Sequence, residues 1–287
     1  MKIDSTTQFL GSELLPEENI PGKAKFHIIP CPMEETVSFG VGTRLGPGEI
    51  LKASQELERN IGDISVCNDG IYTHPEINCD LSHQESLTEL EKLVYEVAFE
   101  KKFPVIIGGE HSLTSASVKG VRRAIGEDIG IIQIDAHADL REDYQGNPHS
   151  HASVMRLLAE LGFRIASLGV RAISTEEKLA RKKFNVFSID GERLVREQIS
   201  FFELPDDFPK KLYLSLDFDG LDPSIIPSVG TPVPGGLSYY QVLDLIQASL
   251  EGRQIVGFDA VELSPSKYDL VSSFCAASLI QRIMHFV

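Results

Sequence analysis

The chain has 287 residues, 42% hydrophobic and 24% charged, a globular composition able to bury a core without disulfide staples. Its net charge of −15 argues against a general phosphate-binding surface, which needs clustered Lys and Arg, and favours cationic ligands. Cys31, Cys67, Cys79 and Cys275 have no C-x-x-C spacing, and no apolar run suits a signal peptide or a membrane span. A cytoplasmic protein with reduced thiols and no nucleic-acid or membrane partner is expected.

In chain order, residues 1–22 are irregular and read as an N-terminal extension of a single domain, 1–287. The first apolar run, Phe26–Pro30, reads as a strand. Residues 60–82 are again irregular, a loop or a small edge strand. Ser86 with Glu89 fits a capping box, and Leu87, Leu90, Val94, Val97 and Ala98 then recur at helical spacing. Phe103–Ile107 is a second strand candidate, and Val118, Val121 and Ile125 mark a second helix. Gly130–Ile134, Arg164–Leu168, Val186–Ile189, Leu212–Leu216 and Ile255–Phe258 complete the strands, before a mostly apolar helix over Phe274–His285. Several strands are apolar throughout, as strands covered on both faces are. The β-α alternation predicts an α/β fold of three αβα layers around a mainly parallel sheet.

Three of these strands are followed by chemistry-bearing segments. Gly108-Gly109-Glu110-His111-Ser112 follows the second strand, Asp135-Ala136-His137-Ala138-Asp139 follows Gly130–Ile134, and Asp217-Phe218-Asp219-Gly220-Leu221-Asp222-Pro223 follows Leu212–Leu216. Carboxyl ends of parallel strands are where open α/β sheets bind ligands. Alternate residues of an extended segment share a face, so Asp135, His137 and Asp139 converge, as do Asp217 and Asp219. His111 at a helix N-terminus is held in the neutral form that ligates metal. Four carboxylates balance two divalent cations, and oxygen-rich ligands with some imidazole suit Mn²⁺ better than structural Zn²⁺. Two such cations about 3.5–4 Å apart can activate one water. A calcium loop does not explain the third segment: counted from Asp217, position 6 is Asp222 rather than Gly and position 12 is Ser228 rather than Glu.

GGEHS, DAHADLR, SHAS (Ser150–Ser153), SLDFDGLDPS, GFDAVELSP (Gly257–Pro265) and GVGTRLGPGEI (Gly40–Ile50) together resemble the ureohydrolase family of arginases and agmatinases, over nearly the whole chain from about Ile28. The resemblance implies an arginase/deacetylase-like fold, two Mn²⁺ per chain held by His111, Asp135, His137, Asp139, Asp217 and Asp219, and a homo-oligomer, trimer or hexamer. It implies further that Glu262 binds the guanidinium, that Asp219 handles proton transfer, and that His151 shuttles protons or orients substrate. His149 competes for the last role. Where the family often has P-F-D, the chain has Pro32-Met33-Glu34, and Glu110 stands where Asp is common.

Guanidinium is a poor electrophile because resonance spreads its charge. A strong nucleophile at neutral pH is needed, and a carboxylate must hold the cation beside the metals. After Asp139 comes Leu140-Arg141-Glu142-Asp143-Tyr144, in which Glu142 and Asp143 suit an ammonium tail and Arg141 a carboxylate. No receptor for an α-amino acid head group is evident. Agmatine, cleaved to putrescine and urea, is the leading expectation. Guanidinobutyrate, guanidinopropionate, arginine and formimidoylglutamate are the alternative substrates. A catalytically silent metal-binding regulator and a single-metal deacetylase are the readings outside the class.

Overall fold

The computed structural model describes residues 7–287. Residues 1–6, where the expected N-terminal extension begins, lie outside the described residues. Eight strands form one sheet: β1 (Phe26–Cys31), β2 (Ile71–Thr73), β3 (Phe103–Gly108), β4 (Ile129–Ile134), β5 (Arg164–Leu168), β6 (Phe187–Ile189), β7 (Lys211–Asp217) and β8 (Gln254–Val261). All neighbouring pairs are parallel, in the order β2-β1-β3-β8-β7-β4-β5-β6. The expected strands are all present, and the irregular stretch after residue 60 supplies the edge strand β2.

The sheet lies between two helical layers because adjacent strand residues point to opposite faces. Ile28, Ile107, Ile132 and Leu214 pack into one core, and Ile29, Ile106, Ile131 and Tyr213 into the other. On the first side lie α1 (Gly46–Ala53), α6 (Gly191–Arg196), α7 (Tyr239–Ser249) and α8 (Leu270–Met284); on the second lie α2 (His83–Phe99), α3 (Thr114–Ile125), α4 (Val154–Glu160) and α5 (Thr175–Lys183). Among the described residues no helix is long and apolar enough to cross a membrane.

Two local expectations change. The S-x-x-E spacing occurs twice, and the capping box is the earlier copy: Ser82 and Glu85 cap α2, while the Ser86 hydroxyl donates to Asn78 O inside the fold. Helix α8 starts at Leu270, where the Asp269 carboxylate accepts from Val271 and Ser272 N–H. The described part of residues 1–22 is docked against the domain: Phe9 and Leu10 are fully buried, and their amides donate to Thr73 and Ser54 hydroxyls.

Candidate metal centre and substrate cavity

The strand order brings together what the chain keeps apart. β3, β8, β7 and β4 are four consecutive strands at the middle of the sheet, and their carboxyl ends carry His111, Glu262, Asp217 with Asp219, and Asp135 with His137 and Asp139. After β3 the chain leaves a gap that β7 and β8 fill much later. The crevice forms at that break in strand order, as open parallel sheets form their ligand sites.

His111, Asp135 and Asp217 form one potential metal-binding group, and Asp135, His137 and Asp219 a second, so Asp135 belongs to both. His111 Nδ1 lies 3.2 Å from Asp135 Oδ2, 3.0 Å from Asp139 Oδ2 and 3.2 Å from Asp217 Oδ2. His137 Nδ1 lies 2.9 Å from Asp219 Oδ2 and 3.7 Å from Asp135 Oδ1. All six expected ligands therefore meet. Asp135, Asp139, Asp217, Asp219 and His111 are buried, and His137 is partly open to the cavity.

Hydrogen bonds around these groups fix their direction. Gln133 Nε2 donates to Asp135 Oδ2 at 2.8 Å and is itself held by Ser167. Backbone N–H groups of His137, Ala136 and Asp219 donate to Asp135, Asp219 and Asp217 respectively. Beneath His111, Ser215 Oγ donates to Asp259 Oδ1 at 2.8 Å, and Tyr213 OH donates to Asp259 Oδ2 at 2.8 Å. Because the Ser215 proton is committed to Asp259, its 2.8 Å contact with His111 Nε2 is donation by the imidazole. The His111 Nδ1 lone pair then faces the three carboxylates, and Nδ1 is a buried atom with no hydrogen-bond partner. Four carboxylates and two imidazoles converging on one crevice are a ligand set for cations, so two divalent ions fit these residues.

Without metal, the same carboxylates favour a proton on His111 Nδ1. Burial opposes a charge on His111, but Asp135, Asp139 and Asp217 overcome it and hold the ring well above the usual histidine range. Burial likewise opposes a charge on His137, and Asp135 and Asp219 still push it up to about 12. Burial and then Asp135 raise Asp139 to about 7. Without metal the carboxylates draw in protons, which divalent ions displace.

Glu262 stands at the same floor. Its Oε1 accepts the His111 N–H at 2.7 Å, and its own N–H donates to Gly109 O at 2.8 Å. Burial raises its carboxyl to about 8 against the His111 N–H, and Glu110 adds repulsion. Its backbone has φ 68°, and that of Asp139 φ 52°. Left-handed backbone at non-glycine residues costs of order 1–3 kcal/mol and clusters at functional sites.

The cavity above this floor has a volume of about 350 Å³. Its walls include His151, Tyr144, Arg141, Ile173, Glu177 and Phe39, the last 84% exposed at the rim. His149 is not among the lining residues. Neither are Glu142 and Asp143, the residues expected to bind the substrate tail. The Glu142 side chain is 77% exposed and 3.9 Å from Arg156, and the Asp143 carboxylate accepts Gly146 N–H in a turn. The loop turns about them so that the flanking Arg141 and Tyr144 face inward. Sequence reasoning passed over Gln133, Ser215 and Asp259, although polar residues inside apolar strands are a readable signal. It also passed over Arg171, whose guanidinium donates to backbone carbonyls of Gly169, Asp219, Gly220, Leu221 and Val233 and so clamps the Asp219 loop. Nothing local in the sequence marks that role.

Residues 24–285 match the arginase family. An N(1)-aminopropylagmatine ureohydrolase of Thermus thermophilus is 39% identical over 251 residues, covering 85% of this chain and 84% of that one. An agmatinase of Pyrococcus horikoshii is 30% identical, covering 90% of each chain. The crystal structure of the agmatine ureohydrolase of Thermoplasma volcanium superposes with a TM-score of 0.79 at 31% identity, covering 93% of this chain and 90% of that one. The chain thus belongs to the arginase family of ureohydrolases, hydrolases of guanidino C–N bonds.

Proposed function

We propose that the protein is a Mn²⁺-dependent ureohydrolase of cationic guanidino compounds, with N1-aminopropylagmatine ahead of agmatine as substrate. The observation that carries this reading is a single cavity floor on which the unpartnered His111 Nδ1, its ring of carboxylates and the Glu262 carboxylate stand together. When bound, the cations supply a nucleophile at neutral pH by lowering the pKa of water. Glu262 holds the guanidinium fork-to-fork and offsets its repulsion from the metals. Asp219 handles the proton that the leaving amine needs, and His151 on the wall orients substrate. Glu142 and Asp143, outside the wall, bias the mouth toward cations without touching the tail.

The longer substrate is supported by the name and identity of the Thermus relative. The cavity lining also includes Ile173, Tyr144 and Phe39, apolar surface against which the methylene chain of either agmatine would lie. Agmatine, expected from the sequence, is the shorter member of the same class.

The test is urea release by the Mn²⁺-loaded protein from N1-aminopropylagmatine, agmatine, arginine, guanidinobutyrate and guanidinopropionate. The expected order of kcat/KM puts the two agmatines first. Arginine or guanidinobutyrate as the best substrate would overturn the substrate assignment and make Arg141 the carboxylate partner to examine. Metal binding without urea from any compound would leave the silent regulator.

A further inference from the structure

The hydroxyl of Thr36 links two groups of the site and has only one proton to give. Thr36 Oγ1 donates to Glu110 Oε1 at 2.8 Å, accepts the His151 backbone N–H at 3.0 Å, and lies 3.2 Å from His151 Nδ1. The Glu110 carboxylate is fully enclosed and gathers donors from every side: Glu35 and Thr36 N–H on Oε2 at 2.5 and 2.6 Å, and the Ser112 hydroxyl on Oε1 at 2.5 Å. A hydroxyl carries one hydrogen and two lone pairs. With its hydrogen on Glu110, Thr36 can meet His151 Nδ1 only as an acceptor, so the ring hydrogen is on Nδ1. A neutral imidazole has a single N–H, which leaves Nε2 as a bare lone pair.

The ring is tied to the wall through Nδ1 and lines the cavity, with Tyr144 edge-on at 5.5 Å. Burial lowers its basicity, and of the charged groups around it Glu110 opposes that while His111 and His137 reinforce it. His83, the first residue of α2, stands 4.0 Å behind Glu110.

We propose that Thr36, backed by Glu110, is a positioning residue that locks His151 in the Nδ1–H tautomer, so that Nε2 accepts a hydrogen bond from a substrate N–H. The acceptor role rests on the reading of the cavity as a guanidino-substrate site; the tautomer does not. The segment at the carboxyl end of β3 and the loop after β1 thereby act on one ring in the loop after β4, although Thr36 and His151 are 115 residues apart.

Thr36→Val keeps the shape and removes the hydroxyl, leaving only the backbone of residue 36 to partner the His151 ring. It is expected to lower kcat about five- to hundredfold with unchanged metal content. Thr36→Ser is expected to recover most of that loss. In a His151→Asn background, adding Thr36→Val is expected to cost nothing further, because both act through the same ring. Imidazole ¹⁵N spectra of the full chain loaded with diamagnetic Zn²⁺, assigned by difference from His151→Asn, are expected to give an Nδ1-protonated signature for wild type and Thr36→Ser. A wild-type His151 protonated at Nε2, or a Thr36→Val loss that adds in full to that of His151→Asn, overturns the proposal. An Nδ1–H signature in an enzyme that cleaves no guanidino compound would instead overturn the functional reading and leave the tautomer standing.

Discussion

The floor of the cavity and its mouth are built on different principles. At the floor the candidate ligands sit at or just beyond the carboxyl ends of central strands, and two of them are backed by buried polar side chains: Gln133 behind Asp135, and Ser215 with Asp259 behind His111. At the mouth, Phe39, Arg141 and Tyr144 come from loops, and Phe39 is largely exposed. The floor is therefore rigid, charged and over-determined, which is what a metal centre demands. The mouth is adaptable and apolar in part, and it is where members of one family are free to diverge in substrate. Under the proposed function, reaction type belongs to the first region and substrate choice to the second.

That division predicts a gradient of effects. Asp135→Ala removes the carboxylate shared by both metal groups, so activity is expected to fall by far more than the roughly 10- to 100-fold typical of an outer-shell loss. Metal analysis of the purified variant, with activity measured at saturating Mn²⁺, checks it. Retention of two tight ions would break the shared-ligand assignment. Ser215→Ala leaves every ligand in place but frees the His111 Nε2–H, and is expected to weaken metal affinity by about 10- to 100-fold. Titration of metal-free enzyme with Mn²⁺ measures this, and wild-type affinity would show that the His111–Ser215–Asp259 chain is only packing.

Glu262→Gln keeps the shape of the floor and removes the charge proposed to anchor guanidinium. A charge-assisted hydrogen bond is worth about 1.5–3 kcal/mol, so kcat/KM is expected to fall by at least about tenfold. Metal content is expected to hold, which separates this residue from the ligands beside it. Outside the mouth, Glu142→Lys places a positive charge on an exposed side chain, and the change in agmatine turnover is expected to stay below about fivefold. A larger effect would mean that the loop turns Glu142 inward when substrate binds.

The smallest effect on turnover is expected at the sheet edge, where His27 Nδ1 and His74 Nε2 are 2.8 Å apart. Burial, and then His27, lowers His74 to about 4. Between that value and an unfolded pKa near 6.5, the unfolded chain binds the proton and the folded chain does not. Stability is thus fully present above about pH 6.5 and is lost as the pH falls toward about 4. Thermal melts from pH 7 to pH 4 are expected to be less steeply pH-dependent in His74→Asn, with activity at neutral pH near wild type.

The amino-acid order by itself determined the elements and the chemistry. Apolar runs of strand length, punctuated by Gly, Asp and His, locate β3, β4 and β7, because those signals span only a few residues; Asp135, His137 and Asp139 converge as expected, but in the turn beyond β4, where Asp139 takes φ 52°, rather than by strand alternation. The same locality explains the slips: S-x-x-E occurs twice within eight residues of α2, and only Ser86's contact with Asn78 decides which copy caps the helix. Tertiary structure alone decided that β8 and β7 insert between β3 and β4, so that Glu262 meets His111 across 151 residues. It alone turned Glu142 and Asp143 outward, brought Thr36 under His151, and set Arg171 across the loop after β7. Those outcomes depend on how strands pair and loops close over long separations, where the free energy is that of the whole packed sheet and no short window of sequence carries it.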